Sequence, residues 1–131
     1  MPTPFERRFA VIIEPSPSLA DTVKDSLLRR DFDVVVATTH AGAARQVLER
    51  ARVDFLVAAV PAPGEDHAGA YLEEARARNP DMAVVVMLSD PAEAMDDAPP
   101  AATTIVKPFS VTQLETALQH AWAVALRNRH S

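Results

Sequence analysis

Three side chains able to do chemistry follow directly on short apolar runs. Glu14 ends the run Phe9 to Ile13, Ser89 ends Ala83 to Leu88, and Lys107 ends Thr103 to Val106. A carboxylate, a hydroxyl and an ammonium brought together could hold an anion, or two of them could neutralise each other. They make a poor magnesium site, because Mg²⁺ wants near-octahedral oxygen ligands and usually more than one carboxylate. Asp90 follows Ser89, but Asp90-Pro91 reads as a turn, and Ser89 as the cap of the segment after it. Glu65-Asp66 reads as a solvated acidic turn. His40, His67, His120 and His130 are scattered without metal-ligand spacing. With no cysteine, disulfides, thiol catalysis and cysteine-held metals are excluded. The three glycines, Gly42, Gly64 and Gly69, form no GxGxxG or GK[ST] loop, which argues against dinucleotide and P-loop chemistry. No catalytic residue, metal site or cofactor is expected.

The elements that must position these groups read clearly. Phe9 to Ile13, Asp33 to Thr38, Phe55 to Val60, Ala83 to Leu88 and Thr103 to Val106 are apolar runs of strand length. Ser16-Pro17 opens a helix carrying Leu19, Val23 and Leu27 at i, i+4, i+8, to about Arg30. His40 to Ala51 and Ala68 to Asn79 are two further expected helices, with Pro61 to His67 a loop between the third strand and the second of these. Asp90 to Ala98 can hold only a short helix before Pro99-Pro100. Ser110 with Gln113 reads as a capping box that opens a last helix to about Asn128.

Five βα units with near-continuous apolar strands mean a parallel sheet buried on both faces. The expected class is therefore α/β, a doubly wound five-stranded parallel sheet in one domain, residues 1–131. Ligands in such folds bind beyond the carboxyl ends of the strands, where Glu14, Pro15, Ala59, Ser89, Lys107 and Pro108 fall.

Length and charge agree with this. At 131 residues the chain suits one domain with a real core. A net charge of −5 argues against non-specific nucleic-acid binding, which phosphate contacts dominate. No apolar run approaches the roughly 20 residues of a membrane span, and no signal-peptide core follows Met1, so a cytoplasmic protein is expected. Eleven arginines against two lysines, with abundant alanine, fit a GC-rich bacterial source.

The order of elements, the Lys107-Pro108-Phe109 triplet and the stretch Asp54 to Ala59 followed by Pro63-Gly64 resemble the receiver domain of bacterial response regulators (CheY-like). The resemblance spans roughly residues 8 to 126. It implies a (βα)5 flavodoxin-like fold, here with a shortened fourth helix, and a cis Lys107-Pro108 peptide. It also implies a phosphorylation site. In that family an acidic pair after strand one and an acceptor Asp after strand three hold Mg²⁺, and a hydroxyl and a lysine contact the phosphoryl group. In this chain the acidic pair falls on Glu14 and Pro15, the acceptor on Ala59, the hydroxyl on Ser89, the lysine on Lys107 and the switch aromatic on Thr104. An alanine methyl has no lone pair to attack phosphorus. Asp54 lies at the other end of its strand. The reading is a pseudo-receiver in which Lys107 pairs with Glu14.

The last helix carries the remaining signal. Val111, Leu114, Leu118, Ala121 and Ala125 make a stripe expected to face the sheet. Gln113, Ala117, His120 and Val124 make a second stripe on the expected outer face, with Trp122 beside it. Trp122 and Leu126 either seal the end of the sheet or join that face in a partner contact, the expected sign being a concentration-dependent homodimer.

The functional expectation is a non-enzymatic signalling module of a two-component-type system. It would act without phosphorylation through a protein partner, an output domain or a second copy. Two alternatives are phosphotransfer through an unusual acceptor and small-ligand sensing in the vacated pocket.

Overall fold

The structure, a computed structural model, describes residues 8–37, 53–60, 77, 81–88 and 102–129. Five strands are present: β1 (Arg8–Ile13), β2 (Phe32–Ala37), β3 (Phe55–Val60), β4 (Ala83–Leu88) and β5 (Thr103–Val106). They form one sheet of order β2-β1-β3-β4-β5, and every neighbouring pair is parallel. Helix α1 (Pro17–Leu28) follows β1, and helix α2 (Val111–Arg129) follows β5. The helices expected at 40–51, 68–79 and 90–98 fall outside the described residues except for position 77, which is helical, and Ser89, Asp90, His40, His67 and His130 fall outside them too.

The strands are apolar without alternation because both faces of the sheet are buried. Ala10, Ile12, Phe55, Val57, Val85 and Met87 form one core layer with Val23 and Leu27 of α1 and Leu114 and Leu118 of α2. Val11, Ile13, Leu56, Ala58, Val84 and Val86 form a second layer, each at 0–2% exposure. Such burial supplies about 1.5–3 kcal/mol per large side chain.

Local signals set the ends of the helices. Ser16 sits before α1 with extended backbone, and Pro17 fills the first turn, where its missing N–H is not needed. The Ser16 hydroxyl does not cap the helix; its backbone N–H turns back to Glu14 instead. After α1, Asp31 takes a left-handed φ of 67°, which turns the chain into β2; aspartate tolerates this conformation better than most residues. At the start of α2, Gln113 N–H donates to Ser110 Oγ at 3.0 Å, and Ser110 N–H donates to Gln113 Oε1 at 2.8 Å. This is the reciprocal capping box expected from the sequence.

Two clamps hold the layers in place. Asp54 is buried at the amino end of β3, where its carboxylate accepts the Phe9 N–H at 2.9 Å and its own N–H donates to Phe9 O. This fixes the β1–β3 register. Glu115 of α2 accepts from Arg29 at 3.2 Å and Arg30 at 2.8 Å, tying α2 to the end of α1. Burial alone would raise the Glu115 carboxyl, but hydrogen bonds from Arg30 and Ser26 and the charges of Arg30 and Arg29 outweigh it and hold it below its ordinary value. A depressed carboxyl contributes stability above its unfolded value, near 4.3, and loses it as pH falls through the lower folded value. Glu115→Gln is therefore expected to cost under about 1 kcal/mol at pH 7. Urea melts of the two proteins should converge only once pH has fallen below the depressed folded value of Glu115.

Two residues of α2, Val111 and Ala117, differ from the sequence expectation, and Trp122 fits the first of the two readings given for it, a seal at the end of the sheet. Val111 is 52% exposed, because it is the first residue of the helix and the buried stripe starts one turn later at Leu114. Ala117 is 5% exposed and belongs to the core layer, not to an open outer face. Trp122 is half-buried against the core. Its ring lies edge-on to Phe32 at 5.4 Å and stacks on Phe55 at 6.1 Å, with the Arg8 guanidinium 5.1 Å from its centre. Phe32, Phe55 and Arg8 each begin a strand, so the indole seals the amino end of the sheet.

Candidate functional site

The carboxyl ends of the strands carry the candidate site. β1 ends at Ile13, and Glu14 N–H still donates to Ala37 O at 3.0 Å, which holds the Glu14 backbone in line with the sheet. β5 ends at Val106, and Lys107 N–H donates to Leu88 O at 2.7 Å. Strand order separates β1 from β5 by β3 and β4, about 14 Å of sheet. Two long side chains bridge that span. Lys107 Nζ donates to Glu14 Oε1 in a tight ion pair. The other carboxylate oxygen, Oε2, accepts the Ser16 N–H at 2.9 Å.

Burial makes the pair consequential. The Glu14 side chain is 1% exposed and the Lys107 side chain 25% exposed. A carboxylate so deep is tolerated only with a counter-charge and hydrogen bonds, and here it has both. Both of its oxygens are occupied. Pro15, next in the chain, supplies no carboxylate and is exposed.

Ala59 lies near the end of β3, opposite Met87, and is 8% exposed. It is the acceptor position of the sequence reading. Its methyl belongs to the core layer shared with α1 and α2. Asp54 is at the far end of the same strand, so it does not substitute. The Lys107-Pro108 peptide is cis, with Pro108 exposed. Thr104, at the switch-aromatic position, is exposed on β5. The structure thus brings Glu14 and Lys107 together, while Ser89 lies outside the described residues. Among the described residues no group of three or more His, Cys, Asp or Glu could hold a metal ion, and no helix is long and apolar enough to cross a membrane.

A parallel sheet of order 2-1-3-4-5, an ion pair across its carboxyl edge and a cis Lys-Pro bond after β5 can be compared with solved structures. One is a response regulator receiver protein from Sinorhizobium medicae WSM419, with a TM-score of 0.81 over 92% of this chain and 98% of that one, at 20% identity. The fold is that of response-regulator receiver domains. The signal receiver domain of an HD domain-containing protein from Pseudomonas fluorescens Pf-5 matches this receiver fold at TM-score 0.77, with 18% identity and 99% and 97% of the two chains covered. NtrX from Brucella abortus matches at TM-score 0.76 and 17% identity over 95% of this chain and 29% of its own. No family model and no curated protein matches the sequence.

Sequence reasoning missed three contacts. The Ser16 N–H that holds the second oxygen of Glu14 left no signal, since any residue there but proline has an N–H. Arg8 over Trp122 joins residues far apart in the chain. The Arg29-Arg30 pair at the end of the first helix was visible, but its partner Glu115 could be found only from the docking of α2.

Proposed function

We propose that this chain is a phosphorylation-independent signalling and protein-interaction module of a two-component-type system, a pseudo-receiver without enzymatic activity. The receiver fold supports two-component signalling. The observation that carries the finer reading is the strand-end site itself. Ala59 has no group to accept a phosphoryl, and the Glu14–Lys107 pair already satisfies the carboxylate and the ammonium that a metal and a phosphoryl group would use. A switch driven by phosphoryl transfer needs a nucleophile, a metal-holding acidic set and a free cation. The nucleophile is absent at its position, and the other two neutralise each other.

Such a module signals by presenting a surface to a protein partner. Two of the similar structures belong to longer proteins: one is the signal receiver domain of an HD domain-containing protein, and of NtrX this chain covers 29%. An output domain or a separate signalling protein is the partner class this supports.

The test is incubation with acetyl phosphate and Mg²⁺, followed by intact mass and by an amide NMR titration with beryllofluoride. The expected outcome is no added phosphoryl mass and no saturable shift at Glu14, Ala59 or Lys107. A phosphoryl adduct released by base would show an acyl phosphate and hand the function to phosphotransfer through another carboxylate.

A further inference from the structure

We propose that Glu14 and Lys107 form an electrostatic strap that holds the β1–α1 turn and the β5–α2 connection in one arrangement, so that this edge of the module keeps a single conformation instead of switching between two. This rests on the pseudo-receiver reading and adds how such a module is regulated: its shape is set in advance of any encounter.

The strap reaches most of the sheet. The Glu14 N–H donates to Ala37 O at the end of β2. Its Oε2 accepts the N–H of Ser16, the residue before α1. Its Oε1 accepts Lys107 Nζ, and the Lys107 N–H donates to Leu88 O at the end of β4. One ion pair therefore links the ends of β1, β2, β4 and β5 with the entry to α1. Lys107 also stands just ahead of Ser110, which closes the capping box of α2. A shift of either helix entry relative to the sheet pulls on this chain of links.

Burial makes release costly. The Glu14 side chain is 1% exposed, so water cannot replace the ammonium unless the edge opens. Losing the partner of a buried charge shifts an equilibrium by about a hundredfold or more. A switch also needs a second arrangement of comparable energy. Pro15, Ala37, Ala59, Leu88 and Val106, at or next to the strand ends, carry no charge. Among the described residues there, neither Glu14 nor Lys107 has another ion-pair partner to turn to.

The test is amide relaxation dispersion on the intact chain, which reads microsecond-to-millisecond exchange. Glu14, Ser16, Lys107, Phe109 and Ser110 should give flat profiles in the parent. Lys107→Ala and the milder Glu14→Gln should each introduce exchange at both ends of the strap. Glu115→Gln, which loosens the α1–α2 clamp elsewhere, should leave these profiles flat, separating release of the strap from general loss of stability. Exchange at both ends in the parent, flat profiles in both strap variants, or equal exchange in Glu115→Gln would overturn the proposal. Beryllofluoride with Mg²⁺ keeps the two readings apart. Saturable shifts would overturn the pseudo-receiver reading, whereas exchange in the parent without such shifts would overturn the strap alone.

Discussion

Lys107→Ala is expected to lower stability by about 3 kcal/mol, because it leaves the Glu14 carboxylate buried with only the Ser16 N–H as partner. The figure lies at the lower end of what breaking a buried pair costs, since Lys107 itself keeps a quarter of its side chain in water. In a chain of 131 residues this amounts to a fall of roughly 10 °C in melting temperature. Glu14→Gln should cost less, about 1 kcal/mol, because the amide oxygen can still accept a hydrogen bond and the freed ammonium can turn to solvent. The double variant, Glu14→Gln with Lys107→Ala, should be more stable than Lys107→Ala alone, since no charge is then stranded. Urea melts of the four proteins form a double-mutant cycle, and a coupling energy near zero would refute the pairing.

Trp122→Ala is the second large effect, expected at about 3 kcal/mol. The side chain contributes apolar burial, the stack on Phe55, the edge contact with Phe32 and the cation–π contact with Arg8. Each aromatic pair adds about 0.5–1.5 kcal/mol beyond area. Partial exposure keeps the total at the low end for an aromatic-to-alanine change. Trp122→Phe should recover most of the loss, as a ring still fills the space. The variant also separates two roles considered for this residue. A sealing indole lowers the melting temperature and leaves sedimentation unchanged, whereas an interface indole does the reverse.

The strands were legible because each is a continuous apolar run bounded by turn residues, and burial on both faces leaves no other pattern. The capping box was legible because Ser110 and Gln113 sit three apart just ahead of the last apolar stripe. Glu14 and Lys107 could be placed together once both were seen to end a strand of one parallel sheet. The outer face of α2 was harder to read. Residues 121–126 read AWAVAL, apolar all round, so periodicity alone does not say which side of the helix Trp122 occupies. The answer depends on Phe32 and Phe55, which lie 90 and 67 positions away in the chain. Ala117 was assigned to the outside by its spacing from Gln113 and His120, yet an alanine is small enough to let the helix sink onto β5, and it is buried.

An acyl phosphate on a receiver hydrolyses, so its lifetime acts as a timer that returns the protein to rest. With alanine at position 59 and the lysine committed to Glu14, the proposed module has no such timer. Its signalling state would then follow how much of the chain is partner-bound, and would relax as fast as that complex dissociates.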